Sequence, residues 1–157
     1  MKKIIIILVL ALCAVILMSN TTYEQQSITP ELRYLLKNEP FKVFLSQFEL
    51  TFWGSVVSVE TWGYYKFVEL LIRKATHFLG YGLIGVILWI FYRKLQWRFP
   101  SLLAIGSIAI IASLDEYRQT FIPDRTGAVE DVVIDICGAI TLISIAKLLN
   151  YFRKRRA

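Results

Sequence analysis

Residues 75–92 read ATHFLGYGLIGVILWIFY, and residues 93–98 read RKLQWR. The first stretch holds no Asp, Glu, Lys or Arg, and it falls in the range of roughly 17–25 residues that crosses a bilayer. The second adds three basic residues and no acid. A long apolar run stopped by a basic cluster is the pattern of a membrane helix ending on the cytoplasmic side. Yet the run contains His77 and Tyr81, and ionisable groups at membrane depth are functional candidates by default.

Three further spans lie outward from this one. Ile4–Met18 is an unbroken apolar run that extends through Ser19–Tyr23. Phe99–Leu114 is the third and ends at Asp115-Glu116; Val129–Leu149 is the fourth, interrupted by Glu130, Asp131 and Asp135. Composition agrees. Of the 157 residues, 56% are hydrophobic and 19% charged, with mean hydropathy +0.54. Soluble domains carry roughly 45–50% apolar residues, and a core of this size cannot hide the surplus. The expected fold is an all-α membrane protein. It is a four-transmembrane-helix bundle with spans at about 4–22, 75–92, 99–116 and 129–149. A small extracellular segment, 23–74, joins the first two spans, and 1–157 reads as a single domain.

The net charge of +6 is sorted along the chain. Ten of the eighteen basic residues lie in Lys2-Lys3, in 93–98 and in 147–156, and none of the twelve acids does. The rest of the chain holds eight basic residues and twelve acids, a net −4. Four spans put both termini on one side, and the charge rule makes that side cytoplasmic. This segregation excludes a nucleic-acid patch as the reason for the basic balance, so no nucleic-acid partner is expected. The first run also has the basic start and apolar core of a signal peptide. No small-residue cleavage site follows it, and Leu10-Ala11-Leu12-Cys13 is a poor lipoprotein box, so an uncleaved span is expected. Cys13 and Cys137 are expected as buried free thiols.

In the extramembrane segment, Ser27–Asn38 reads as a short helix, with Ser27 or Thr29 as cap and Pro30 in the first turn. Phe48–Phe52 alternates with period two, Gly54-Ser55 breaks the pattern and Val57–Glu60 resumes it, which is a hairpin signal. Trp53, Trp62, Tyr64 and Tyr65 suit a membrane interface.

Three polar groups fall in or beside the spans. Arg73, His77 and Tyr81 are spaced by four and share one helical stripe. His77 is the chain's only histidine. It could carry protons, ligate a metal or hydrogen-bond a carboxylate, and Glu69, four residues before Arg73, offers that arginine an ion pair. Asp115, Glu116 and Gln119 end the third span, and Arg125 follows in a loop marked by Pro123 and Gly127, placed to clamp an anion bidentately. Asp131 and Asp135 stack on a stripe that Gly138 continues, which would let another helix approach closely. Asp135 is expected to pair with Arg125 or Arg73, or to be neutral. Such a set could recognise a polar head group, bind a metal through carboxylates, or do acid–base work. No nucleophile elbow, zinc-protease helix or phosphate loop is present.

Arg73-Lys74-Ala75-Thr76-His77-Phe78 with Tyr81, followed by Asp115-Glu116-x-x-Gln119, Pro123-x-Arg125, Asp131, Asp135 and Gly138-Ala139, resembles the two motif blocks of the VanZ-like membrane proteins. Residues 48–63 also resemble the stretch before the first block in some members, so the resemblance covers roughly 48–142. Asp124 departs from the family's usual loop glycine and Asp135 from its usual asparagine. The resemblance implies a multi-pass bacterial cell-membrane protein, of a family whose namesake is associated with resistance to teicoplanin-type glycopeptide antibiotics. It implies an outward-facing polar site, formed by Arg73, His77, Tyr81, Asp115, Glu116, Gln119, Arg125, Asp131 and Asp135. The site would bind a membrane lipid, a lipid-linked cell-wall precursor or the glycopeptide itself, without a cofactor. The alternative is a small intramembrane enzyme acting on a lipid-linked substrate, with His77, Glu116 and Asp131 as its catalytic candidates. In that reading Asp115, Glu116 and Asp131 would hold a metal or activate water.

Overall fold

The structure, a computed structural model, describes every residue except Trp53, Asp124, Thr126 and Ala157, and of Arg156 the backbone alone. The interface role read for Trp53 and the loop position of Asp124 lie outside the described residues.

Helix α1 (Lys2–Ser19) leads through a 3-10 turn (Glu24–Gln26) to two short helices, α2 (Thr29–Leu35) and α3 (Lys42–Leu45). A hairpin of β1 (Leu50–Phe52) and β2 (Ser55–Val57) and a single turn, α4 (Val59–Trp62), complete the segment. Three long helices follow: α5 (Tyr64–Lys94), α6 (Pro100–Gln119) and α7 (Val129–Arg156). Among the described residues, α1, α5, α6 and α7 are long and apolar enough to cross a membrane. The chain is therefore an all-α, four-span membrane protein with a small two-stranded sheet. The segment between α1 and α5 and the loop 120–128 lie at one end of the bundle, the cap end. The chain termini and the loop 95–99 lie at the other, the basic end.

Each span of the sequence reading corresponds to one helix, but α5 starts at Tyr64 rather than Ala75. Its 31 residues make a rod of about 46 Å, against a hydrocarbon core of about 30 Å. Hydropathy stops near Ala75, whereas tertiary packing carries the helix further. Phe67 and Leu70 bury themselves against Val57, Val59 and Tyr64, forming a second small core outside the bundle. Tyr64 is thus not an interface residue: it is buried and donates its hydroxyl to the Pro40 carbonyl at 2.9 Å.

The hairpin exists, with Leu50 opposite Val57 and Phe52 opposite Ser55, and it turns at Gly54 with φ +72°. Its second strand ends sooner than the alternation implied. Ser58 accepts from the Glu60 and Thr61 amides while Thr61 accepts from the Ser58 amide, a capping box that starts α4 and removes Val59 and Glu60 from the strand. At the start of α2, Ser27 Oγ accepts from the Thr29 amide at 3.4 Å, while the hydroxyls of Ser27 and Thr29 both donate to Glu69 and Thr29 caps nothing.

In the bundle, α5 packs against α6 and α7 around Tyr81, Ile84, Leu88, Ala104, Ile108, Ala112, Ala139 and Ile143, and α1 lies on this core through Leu8, Ala11, Leu12 and Val15. Small residues set the α5–α7 approach. A Cβ on Gly138 would stand 2.0 Å from the Phe78 carbonyl oxygen, and one on Gly82 would stand 2.9 Å from the Gly138 carbonyl oxygen. The close approach expected at Gly138 is present, and only glycine permits it. The outward faces stay apolar, as at Leu10, Leu17, Leu83, Leu102, Ile110 and Leu149, which is the surface a lipid environment requires. Cys13 and Cys137 are free and lie on that exposed surface, not in the core.

Candidate binding site

The 6 Å step per helical turn along α5 sets Arg73, His77 and Tyr81 in descending order from the cap end into the bundle. At the deepest point, Tyr81 donates to Asp115 Oδ2 at 3.0 Å. Asp115 collects three further donors: Ser19 Oγ at 2.6 Å, Arg118 Nη2 at 3.0 Å and Gln119 Nε2 at 3.0 Å. Arg118 also reaches the Asn20 side chain and, at 3.2 Å, the Ile16 carbonyl. One buried carboxylate therefore ties the ends of α1 and α6 to the middle of α5, and its acceptor capacity is taken.

His77 sits one turn above, stacked on Tyr81 with ring centroids 5.9 Å apart. Its Nδ1 lies 3.4 Å from Asp135 Oδ1 on α7, so the partner of Asp135 is the histidine and neither expected arginine. Asp135 is 1% exposed, and neither of its oxygens receives a hydrogen bond. On α6, Glu116 accepts from the Ala128 amide at 2.9 Å through Oε2, while its Oε1 has no donor. Gly127 makes that contact possible, because a Cβ there would meet the Glu116 carbonyl oxygen at 2.5 Å. Asp131 is bound to Lys74 and takes no part in a carboxylate cluster. The trio Asp115, Glu116 and Asp131 is thus not assembled as a metal site. Among the described residues no three His, Cys, Asp or Glu side chains are grouped to hold a metal ion.

Above His77 the cation set closes over the cavity. Arg73 pairs with the buried Glu69 at 3.1 Å, lies 4.1 Å over the Tyr23 ring, and donates to Gln26 Oε1 at 3.0 Å. Arg125, reaching in from the 120–128 loop, donates to the same Gln26 oxygen. Its other contact is the Ser19 carbonyl at 3.5 Å, and it has no carboxylate partner among the described residues. Burial, and then the charge of Arg73, hold the Arg125 guanidinium below its ordinary pKa, partly opposed by Asp115 and Glu116. Two guanidiniums thus converge on one neutral oxygen.

These side chains border a cavity of about 360 Å³, lined by Arg73, His77, Tyr81, Asp115, Gln119 and Arg125 on its polar side. Ser19, Gln26, Glu69 and Thr76 add further polar groups, and Val15, Met18, Ile28, Ile72 and Gly80 line the rest. Of the nine residues singled out in the sequence, six therefore meet at one cavity. Glu116, Asp131 and Asp135 stand behind it. The sequence reading missed Ser19, Gln26, Lys74 and Arg118. Lys74 was visible as half of the basic pair, whereas Ser19 and Gln26 carry no charge or periodicity that could have marked them.

The fold and site define a multi-pass helical membrane protein whose polar side chains gather at one end of the bundle. A family model described as VanZ/LLP1 matches residues 4–150. The chain belongs to that family. No curated protein and no solved structure matches it.

Proposed function

We propose that the cap-end cavity receives the anionic head, phosphate or carboxylate, of a cell-envelope amphiphile. One observation carries this reading: Arg73 and Arg125 converge on the uncharged Gln26 oxygen, and Arg125 has no carboxylate partner among the described residues. Gln26 occupies the place an anionic oxygen would take, and an arginine pair binds such an oxygen with charge-assisted bonds. Val15, Met18, Ile28 and Ile72 continue the cavity as an apolar wall, so a ligand with an acyl or prenyl part fits better than a free ion. The candidates in order of chemical fit are an anionic lipid, a lipid-linked cell-wall precursor, and a glycopeptide through its carboxylate.

The charge distribution supports an orientation with the basic end and both termini in the cytoplasm and the cap end outside. In a bacterial cell membrane this places the cavity where wall precursors and teicoplanin-type antibiotics meet, and the protein contributes there to glycopeptide tolerance or envelope homeostasis. The whole chain acts as one domain, since the cap core is built on the first turns of α5. In a background with Cys13 and Cys137 replaced by Ser, a membrane-impermeant thiol reagent should label Lys66→Cys in intact cells and leave Lys154→Cys unlabelled. A test of function is glycopeptide tolerance of a host expressing the wild-type chain or Arg125→Gln at equal membrane abundance. Tolerance should rise with the wild type and fall to the host level with the variant; full tolerance with Arg125→Gln would contradict the reading.

A second reading rests on His77. Its Nδ1 faces the buried Asp135 while its ring borders the cavity, an arrangement in which Asp135 orients the ring and Nε2 exchanges a proton with a bound head group. In that case the protein is an intramembrane enzyme acting on a lipid-linked substrate. Turnover of envelope lipids by the purified protein, abolished in His77→Gln with ligand retention unchanged, would select this reading.

A further inference from the structure

We propose a second lipid site at the opposite end of the bundle, for the phosphate-bearing head of an anionic glycerophospholipid. Two clefts flank α7 there and share Trp89, Arg93 and Asn150. The wider, about 930 Å³, is also bordered by Arg98, Lys147 and Lys154. The narrower, about 530 Å³, is bordered by Lys94 and Arg153. Six of the ten basic residues at this end therefore face the two clefts.

No Asp or Glu among the described residues neutralises these charges. Between residues 70 and 114 and after 135 the chain has no acid at all, and none of the six cations joins an ion pair among the described residues. At the cap end, by contrast, four of the eight cations, Lys42, Arg73, Lys74 and Arg118, pair with carboxylates. Aromatic faces hold two of the cleft guanidiniums instead: Arg93 lies 4.7 Å over the Trp89 ring and Arg98 5.1 Å over the Phe99 ring. Because Trp89 is buried, Arg93 is backed by a fixed wall between the two clefts. Ser101, Ser144 and Asn150 add neutral hydrogen-bonding groups to the lining. Cations arranged around a cleft between membrane helices are the chemistry that recognises phosphate heads at the cytoplasmic leaflet.

The clefts also say what the phosphate is attached to. Their rims carry Ile90, Leu102, Leu148 and Leu149, all exposed on the apolar outer face of the bundle. A head group seated among the cations would leave its acyl chains against these residues, whereas a soluble phosphate or nucleotide would leave them without a partner. Arg93 stands in both clefts, so one lipid carrying two phosphates can engage both. The positive-inside rule needs these charges to be on this side of the membrane; it does not need them to surround a cleft.

The full chain, purified in mild detergent with a defined mixture of phosphatidylglycerol, diphosphatidylglycerol and phosphatidylcholine, tests this by native mass spectrometry at graded activation. Two double variants remove equal charge in different places: Lys147→Gln/Lys154→Gln in the wider cleft, and Lys2→Gln/Lys3→Gln outside both. The wild type should retain diphosphatidylglycerol over phosphatidylglycerol, and both over phosphatidylcholine. The cleft variant should lose about 30-fold in that retention, since each cation that meets the head group contributes about a factor of five. The control variant should match the wild type, and the preference for diphosphatidylglycerol over phosphatidylglycerol should survive Glu60→Gln, a cap-end change that borders neither the clefts nor the cap cavity. Equal losses in the two double variants, no preference for anionic lipid, or displacement of the lipid by millimolar inorganic phosphate would each overturn the proposal. Thermal unfolding of each variant shows whether it is folded. If the cleft variant does not fold, Lys154→Gln alone must show a smaller loss of the same selectivity.

Discussion

On α6, Asp115 accepts hydrogen bonds from Ser19, Tyr81, Arg118 and Gln119; on α7, Asp135 is as deeply buried and accepts none. Both acids sit on membrane-spanning helices, and both belong to the motif blocks. The contrast separates two uses of an intramembrane carboxylate. Asp115 is a fastening: its donors come from α1, α5 and α6, and breaking it frees three helices at once. Asp135 receives no hydrogen bond, and its ion-pair partner is His77 Nδ1 at 3.4 Å. A buried polar group without a hydrogen bond costs about 1–3 kcal/mol. A fold that keeps one beside a cavity spends stability on something other than stability.

The contrast breaks most visibly in the unfolding of single variants, measured in detergent by denaturant titration. Asp115→Ala leaves Arg118 and three neutral donors without their acceptor, and should cost about 3–5 kcal/mol, at about 1 kcal/mol for each of the four lost bonds. Gly138→Val forces its side chain against the Phe78 carbonyl and should cost about 1–3 kcal/mol by overpacking, with α5 and α7 pushed apart. Arg118→Ala removes one charged donor from a partly exposed position and should cost about 1.5 kcal/mol. Ser58→Ala removes the capping box of α4 and should cost about 1 kcal/mol, confined to the cap. Asp135→Asn should stay within about 1 kcal/mol of the wild type, because no donor is orphaned by the change. If Asp135→Asn unfolds the protein as readily as Asp115→Ala, the distinction between the two acids fails.

The sequence made some of this legible. Four spans, their shared end for the termini, and the 131–135–138 stripe with its close glycine contact all follow from hydropathy, charge counting and helical spacing. The stripe of Arg73, His77 and Tyr81 was equally visible, because the period of a helix is fixed. What was hidden depends on where separate elements come to rest. Glu69 looked like an exposed i,i+4 partner of Arg73, yet Ser27 and Thr29 fold back onto it and bury it. Gln26 is an uncharged residue in an irregular turn, and only the tertiary fold shows two arginines meeting on its oxygen. Asp131 looked like a site acid, but Lys74, fifty-seven residues earlier, takes it. Asp135 was expected to find an arginine, and both candidate arginines turned out to be held above the cavity by Gln26.

The central claim is that Arg73 and Arg125 form an anion site awaiting an amphiphile. Calorimetric titration of the purified chain with a short-chain phosphatidic acid, against phosphatidylcholine of the same chain length, tests it most directly. In the Lys147→Gln/Lys154→Gln background, which weakens the basic-end clefts, the chain should bind the anionic lipid saturably at the cap cavity and the zwitterionic one weakly. Arg125→Gln should lose about 1.5–3 kcal/mol of that affinity, while Asp115 and its donors keep the fold intact. Equal affinity for the two lipids, or an unchanged affinity in Arg125→Gln, would contradict the account.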